Sequence, residues 1–128
     1  MRGRRFGAGA AAIALAIGLG ACGGDDSGLS EIAARGKNTA LNNGCASCHG
    51  AKGQGGVGPS WVDLAGSEVE LKDGTTVVAD DDYLIRSIVE PAAEEVAGFN
   101  IAMPISGVSE AQAADIVAYI KELTTDAP

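Results

Sequence analysis

Apolar residues recur at helical spacing in three stretches of the chain, and the first stretch predicts a helix over residues 31–42. Ser30 is a suitable N-cap for this helix, and Asn43-Gly44 is a suitable end. Gly36 is a poor helix former, which indicates either a marginal helix or the close approach of another element. The residues expected to face inward are Ile32, Ala33, Ala40 and Leu41.

The second and third helices have clear start signals. The aspartates at 80–82 can satisfy the unpaired N–H groups at the start of a helix over 81–90, which Pro91 ends. A metal site is the weaker interpretation of these carboxylates, because consecutive side chains cannot all face one ion. Residues 109–112 read Ser-Glu-Ala-Gln, a capping box that opens a helix to about residue 123. The expected inward residues are Leu84, Ile85, Ile88, Val89, Ala113, Ile116, Val117, Ile120 and Leu123.

The segments between the helices predict a hairpin and a loop. Apolar and polar residues alternate around Asp73-Gly74, which predicts antiparallel strands over 68–72 and 75–79. Two strands alone are marginally stable, so we expect the hairpin to be an appendage on the helical domain. Residues 50–59 hold five glycines and form a loop, without the Gly-Lys-Ser/Thr ending of a nucleotide site.

The N-terminus has the pattern of a bacterial lipoprotein signal over residues 1–21. Arginines 2, 4 and 5 precede an apolar run that is shorter than the roughly 18 residues of a membrane span. Leu19-Gly20-Ala21-Cys22 resembles a lipobox, which predicts a lipid on the Cys22 sulfur; the alternative is ordinary cleavage and an unmodified thiol. Residues 22–30 then form a flexible tether, and 124–128 are expected to fray.

Composition limits both the core and the partners. The chain has 128 residues, and only four aromatic residues remain after the signal, so one small domain would struggle to fill its core. A buried ligand would supply the missing apolar volume. Removing the three signal arginines leaves six basic and seventeen acidic residues, a net charge of −11. This charge excludes nucleic acid as a partner and favours basic surfaces, although acidity can also serve solubility alone.

Cys45-Ala46-Ser47-Cys48-His49 is the motif with the most specific chemistry. The C-x-x-C-H pattern indicates covalent attachment of one c-type haem, with a thioether from each cysteine and His49 as an iron ligand. A thioredoxin-like pair is less consistent, because no βαβ pattern surrounds the motif. A zinc site would need four ligands, and the chain has one histidine and only one further cysteine, Cys22.

Met103 is the candidate for the second axial ligand. It is the only methionine left after the signal, no second histidine exists, and Pro104 follows it in a loop. For an arbitrary methionine, core packing would be the usual role.

The order of these features resembles class I cytochrome c over residues 31–123. In detail it is most similar to the cytochrome c domain at the C-terminus of some bacterial cytochrome oxidase subunits II. The stretches that carry this similarity are 43–45, 56–59, 66–69, 73–77 and 115–119. The resemblance implies an all-α class I cytochrome c fold of three to four helices around one haem, with a small β-hairpin insertion.

The resemblance also implies roles for particular residues. Pro59 would offer its carbonyl to the second nitrogen of His49, and the terminal helices would cross near Gly36 and Tyr119. Trp61 is expected in the haem pocket, where relatives usually have leucine. The chain lacks the copper domain and membrane helices of the oxidase subunit, so it would be a relative of that haem domain and not the subunit.

Together these features predict a membrane-tethered electron carrier and not an enzyme. Iron held by His49 and Met103 would pass single electrons from a quinol-oxidising complex to a terminal oxidase or another reductase. We expect a monomer on the outer face of the bacterial cytoplasmic membrane, anchored through Cys22. Two alternatives remain: a five-coordinate haem enzyme or gas and redox sensor if Met103 does not bind iron, and a fixed haem subunit of a respiratory complex.

Overall fold

The computed structural model describes residues 28–126, so the predicted signal, Cys22, most of the predicted tether and the last two residues lie outside it. The elements are α1 (Glu31–Asn42), α2 (Ala46–His49), β1 (Glu68–Glu70), β2 (Thr76–Val78), α3 (Asp81–Val89) and α4 (Glu110–Glu122). The fold is therefore mostly helical with one small antiparallel sheet, as predicted.

The predicted helix starts are confirmed at atomic level. The Ser30 side chain accepts a hydrogen bond from the Ala33 N–H, and the Asp80 side chain accepts one from the Tyr83 N–H. At Ser109 both halves of the capping box are present. These caps depend on residues three positions apart, which is why local sequence predicts them well.

Helices α1 and α4 cross at Gly36. A Cβ at this position would overlap the carbonyl of Asp115 and lie 2.8 Å from the Ile116 nitrogen. The crossing therefore involves Gly36, as expected, and its contact on α4 lies one turn before Tyr119. Beside it, Arg35 Nε and Nη2 each donate to Asp115 at 2.6 Å. A surface ion pair contributes only about 0–1 kcal/mol, so the close backbone approach matters more than the ion pair.

The inward face of α1 differs from the prediction at two residues. Ala33, Gly36 and Ala40 are buried, whereas Ile32 and Leu41 are 51% and 43% exposed. The glycine contact brings α4 so close that the buried face holds only small side chains. Hydrophobicity along the helix could not reveal this, because the orientation is set by the partner backbone.

The hairpin is shorter than predicted and is part of the core. Leu71 N–H donates to the Thr75 carbonyl, so residues 71–75 form the turn and the strands stop at three residues each. Val69 and Leu71 are buried, and Leu71 forms a β-bridge with Val96. The expectation of an appendage was therefore wrong, because the segment after α3 adds pairing that two strands alone lack.

The other helices pack largely as expected. In α3 Leu84 and Ile88 are buried together with Tyr83, while Ile85 and Val89 are partly buried. In α4 four of the five predicted residues are buried, and Leu123 packs against the core from the helix end. Beyond α4, the Thr125 N–H donates to Asp63 Oδ1 at 3.1 Å. Within residues 28–126 no helix is both long and apolar enough to cross a membrane.

We predict that Gly36→Ala destabilises the domain. The added Cβ would force two backbones apart, an overpacking cost of about 1–3 kcal/mol. Alanine's better helix propensity offsets at most about 1 kcal/mol of this. Chemical denaturation of the haem-loaded protein would measure the loss of unfolding free energy. Asn38→Ala, on the exposed face of the same helix, is the matched control and should leave stability unchanged or slightly raised. Equal stability of the two variants would contradict the tight crossing.

Candidate haem site

The cysteines and histidine of the C-x-x-C-H motif lie on a single helical turn. Cys45 is the N-cap of α2 and has helical backbone angles, and its carbonyl accepts from the His49 N–H at 3.0 Å. Cys45 and Cys48 are three positions apart, so their side chains share one face of the turn. Both are half-buried, and neither forms a disulfide. Burial raises the pKa of the Cys45 thiol above its ordinary value.

The glycine loop folds back around the end of α2. Gly50 begins it in a left-handed conformation with φ of 86°. The N–H of Gly55 then donates to the His49 carbonyl at 2.7 Å, and the N–H of Gly58 donates to the Cys48 carbonyl at 3.0 Å. The loop thereby satisfies carbonyls that the short helix leaves unpaired. It also brings Pro59 next to the histidine ring.

The imidazole of His49 is buried and held by this loop. Its Nδ1 lies 2.8 Å from the Pro59 carbonyl oxygen, the hydrogen bond that the resemblance implied. Because a carbonyl only accepts, Nδ1 must carry the proton, and the lone pair of Nε2 is available for a metal. Burial lowers the pKa of His49 below its ordinary value, although the bond to Pro59 opposes this.

Trp61 covers one face of the same imidazole. The two ring centroids are 4.6 Å apart with an interplanar angle of 24°. The indole meets Tyr119 on α4 edge-to-face, with centroids 6.3 Å apart and planes at 87°. The resemblance implied a pocket position for Trp61, but no local sequence pattern specifies its stacking on His49.

A cavity of about 610 Å³ opens beside the motif. Both cysteines, His49, Pro59, Trp61 and Met103 contribute to its wall, so the structure brings together every predicted site residue in the described range. Met103 is half-buried in the irregular segment between α3 and α4. Cys22 lies outside the described residues. The remaining wall is largely apolar and includes Leu64, Val69, Leu84, Ile88, Val96 and Ile120.

The donor set and the wall fit a haem. The cavity falls within the usual 300–1,000 Å³ of cofactor sites. Gly58 lies so close to the His49 ring that a Cβ would stand 3.2 Å from Cε1, which shows tight packing around the imidazole.

Other metal sites are not indicated in the described part of the chain. No group of three or more His, Cys, Asp or Glu side chains there could hold an ion. The aspartates at 80–82 have other contacts, since Asp80 caps α3 and Asp81 binds the ammonium group of Lys121 at 2.9 Å. Their helix-start interpretation therefore stands.

Curated proteins gave no significant match. Among solved structures, the crystal structure of cytochrome cL from Hyphomicrobium denitrificans is similar, with 22% sequence identity and a TM-score of 0.49. The similarity covers 73% of this chain and 50% of that chain, so this chain spans about half of its length.

A family model described as Cytochrome c matches residues 33–124, a range that includes the motif, the glycine loop and the Met103 segment. Cytochrome c domains carry out haem-based electron transfer. The described fold, helical with a two-stranded antiparallel sheet, is consistent with the class I form. This chain therefore belongs to the cytochrome c family and binds one covalent haem c, for which Cys45 and Cys48 fit the attachment motif.

Proposed function

We propose that the chain is a membrane-tethered electron carrier whose iron is held between His49 and Met103. The observation that carries this proposal is the fixed imidazole of His49, with Nε2 available, in the wall of the cavity to which Met103 also contributes. When bound, haem c supplies a one-electron Fe(II)/Fe(III) couple. The protein's residues hold and orient the group and keep water away.

His49 is suited to be the strong, permanent ligand. The Pro59 carbonyl fixes both its tautomer and its ring orientation and increases its basicity, as outer-sphere partners of metal-bound histidines do. Since His49 is the only histidine in the sequence, no other imidazole competes for the iron. Its position on the same turn as both thioether cysteines keeps the ligand attached to the covalent anchor.

Met103 is suited to be the second ligand. A thioether favours reduced iron and raises the reduction potential. With both axial positions filled, the site would exchange electrons without binding a substrate at the metal, which supports a carrier over an enzyme. The surrounding wall is mainly apolar, and such burial also disfavours the more highly charged oxidised state.

The partners we propose are a quinol-oxidising complex as donor and a terminal oxidase or other reductase as acceptor. Support comes from the negative charge and from the similarity to the haem domain of oxidase subunit II. Glu68 and Glu70 project from the outer side of β1 at the cavity wall and are exposed. Neither forms an ion pair with a residue in the range 28–126. Basic partner surfaces would complement them in brief encounters of a monomeric carrier.

We further propose that the protein is lipid-anchored at the outer face of the bacterial cytoplasmic membrane. Cytochrome c domains are generally exported, and the lipobox-like sequence ending at Cys22 supports the anchor. A short tether would keep the haem domain beside membrane-bound redox partners. Such an anchor would hold the carrier on the membrane face where we propose that its donor and acceptor lie.

Met103→Ala should retain covalent haem and lose the Met–iron charge-transfer band of the oxidised protein. Axial ligation sets haem potentials over a wide range, so we expect a fall on the order of 100 mV. Spectroscopy and mediated potentiometry would measure both changes. Asn100→Ala, an exposed change in the same loop, should preserve band and potential.

An unaltered band and potential in Met103→Ala would refute ligation. A wild type that lacks the band and binds CO rapidly when reduced would favour the five-coordinate alternative.

Cys22→Ser should release a soluble protein with an unchanged haem spectrum. Loss of the thiol removes the acyl attachment point, while the haem domain begins beyond the tether. Fractionation after a high-salt wash separates lipid anchoring from electrostatic adhesion, because salt weakens only the latter. Wild type should stay in the membrane fraction and the variant should not. Retention of the washed variant at the membrane would contradict the anchor.

A further inference from the structure

The indole of Trp61 and the imidazole of His49 form a stacked pair inside the domain. Their centroid separation of 4.6 Å and angle of 24° lie within the range of offset aromatic stacking. Both side chains are 7% exposed, so the contact is shielded from water. A residue needed only to fill this volume could be aliphatic, and an indole adds a π face directed at the ring that we assign to the iron.

The protein holds the indole so that it cannot swing away. On α4, Tyr119 packs against Trp61 edge-to-face. At Gly53 a Cβ would stand 3.1 Å from the Cβ of Trp61, so the glycine loop is in close contact with it. The backbone around Trp61 is also fixed. The backbone N–H of Trp61 donates to the Gly53 carbonyl at 2.7 Å, and the backbone N–H of Asp63 donates to the Leu123 carbonyl at 2.8 Å.

We propose that Trp61 is a positioning residue that lowers the reduction potential of the haem by stacking on His49. The inference rests on the proposed function in one respect, namely that His49 binds the iron. The effect of Trp61 on the potential would be separate from the effects of covalent attachment, axial ligation and the Pro59 hydrogen bond.

The sign follows from the charge of the imidazole in the two oxidation states. Ligand electron density is drawn toward Fe(III) more strongly than toward Fe(II), so the ring carries more positive charge in the oxidised protein. The face of an indole carries negative quadrupole density and attracts positive charge. Stacking therefore stabilises oxidised protein relative to reduced protein.

Burial works in the opposite direction and must be separated from stacking. Any apolar side chain at position 61 excludes water and disfavours the oxidised iron. Leucine keeps most of this exclusion but has no π face. Comparison of tryptophan with leucine at position 61 therefore isolates the stacking contribution better than truncation to alanine, which would admit water and leave a void.

The test is mediated potentiometry of the haem-loaded wild type and two variants. Trp61→Leu should raise the midpoint potential, with a two- to fivefold change in the oxidation equilibrium, or about 20–40 mV at 59 mV per tenfold change for one electron. Trp61→Phe keeps an aromatic face and should shift the potential less. Val117→Ala, a truncation in α4 at a residue 3% exposed, controls for general loosening of the core and should leave the potential unchanged.

Each outcome bears on the proposal. An unchanged or lower potential in Trp61→Leu would overturn it, as would an equal shift in Val117→Ala. The Met–iron band of the wild type separately reports the Met103 side of the iron. A missing band would defeat the proposed carrier, and the three potentials would still decide the role of Trp61. If the band is present and the wild type and Trp61→Leu have equal midpoint potentials, only the Trp61 proposal is defeated and the carrier proposal is unaffected. If Trp61→Leu fails to fold with haem, Trp61→Phe and Trp61→Met supply the comparison, with a higher potential again expected for the non-aromatic side chain.

Discussion

Two helix backbones come into contact at Gly36, and the placement of the histidine depends on this approach. Because position 36 has no Cβ, α4 can lie directly against α1 at Asp115 and Ile116. On α4, one turn further along, Tyr119 then packs on Trp61, and Trp61 covers the face of His49. The contact between the N-terminal helix α1 and the C-terminal helix α4 thus helps to hold the imidazole of His49, which lies between them in the sequence. Because these layers are close-packed, each one restricts the position of the next.

The cofactor completes a core that the chain does not fill alone. The cavity of about 610 Å³ borders Tyr83, Ile88 and Ile120, which belong to the main hydrophobic cluster. Aliphatic side chains make up most of that cluster, in line with the low aromatic content of the sequence. A covalently attached haem stays on the unfolded chain as well, but only the folded chain would bury its apolar surface away from water, and this burial would add to stability.

Local signals were predicted well, and contacts across the fold were not. The caps at Ser30, Asp80 and Ser109 involve neighbours within one helical turn, so residue type and spacing suffice to locate them. The exposure of Ile32 and Leu41 depends on how closely α4 approaches, which helical periodicity does not encode. The hairpin was located from Asp73-Gly74, but its burial required the bridge from Leu71 to Val96, a partner outside the alternating pattern.

The sequence by itself determined the chemistry available to this protein. The C-x-x-C-H spacing identifies the two attachment cysteines, and the single histidine and the one methionine beyond the predicted signal limit the candidate iron ligands. Tertiary structure decided how the histidine is held. The Pro59 carbonyl accepts from Nδ1 across ten residues, and the Trp61 ring covers the imidazole because the glycine loop and α4 place it there. Such contacts arise from the path of the whole backbone, and residue type alone does not specify them.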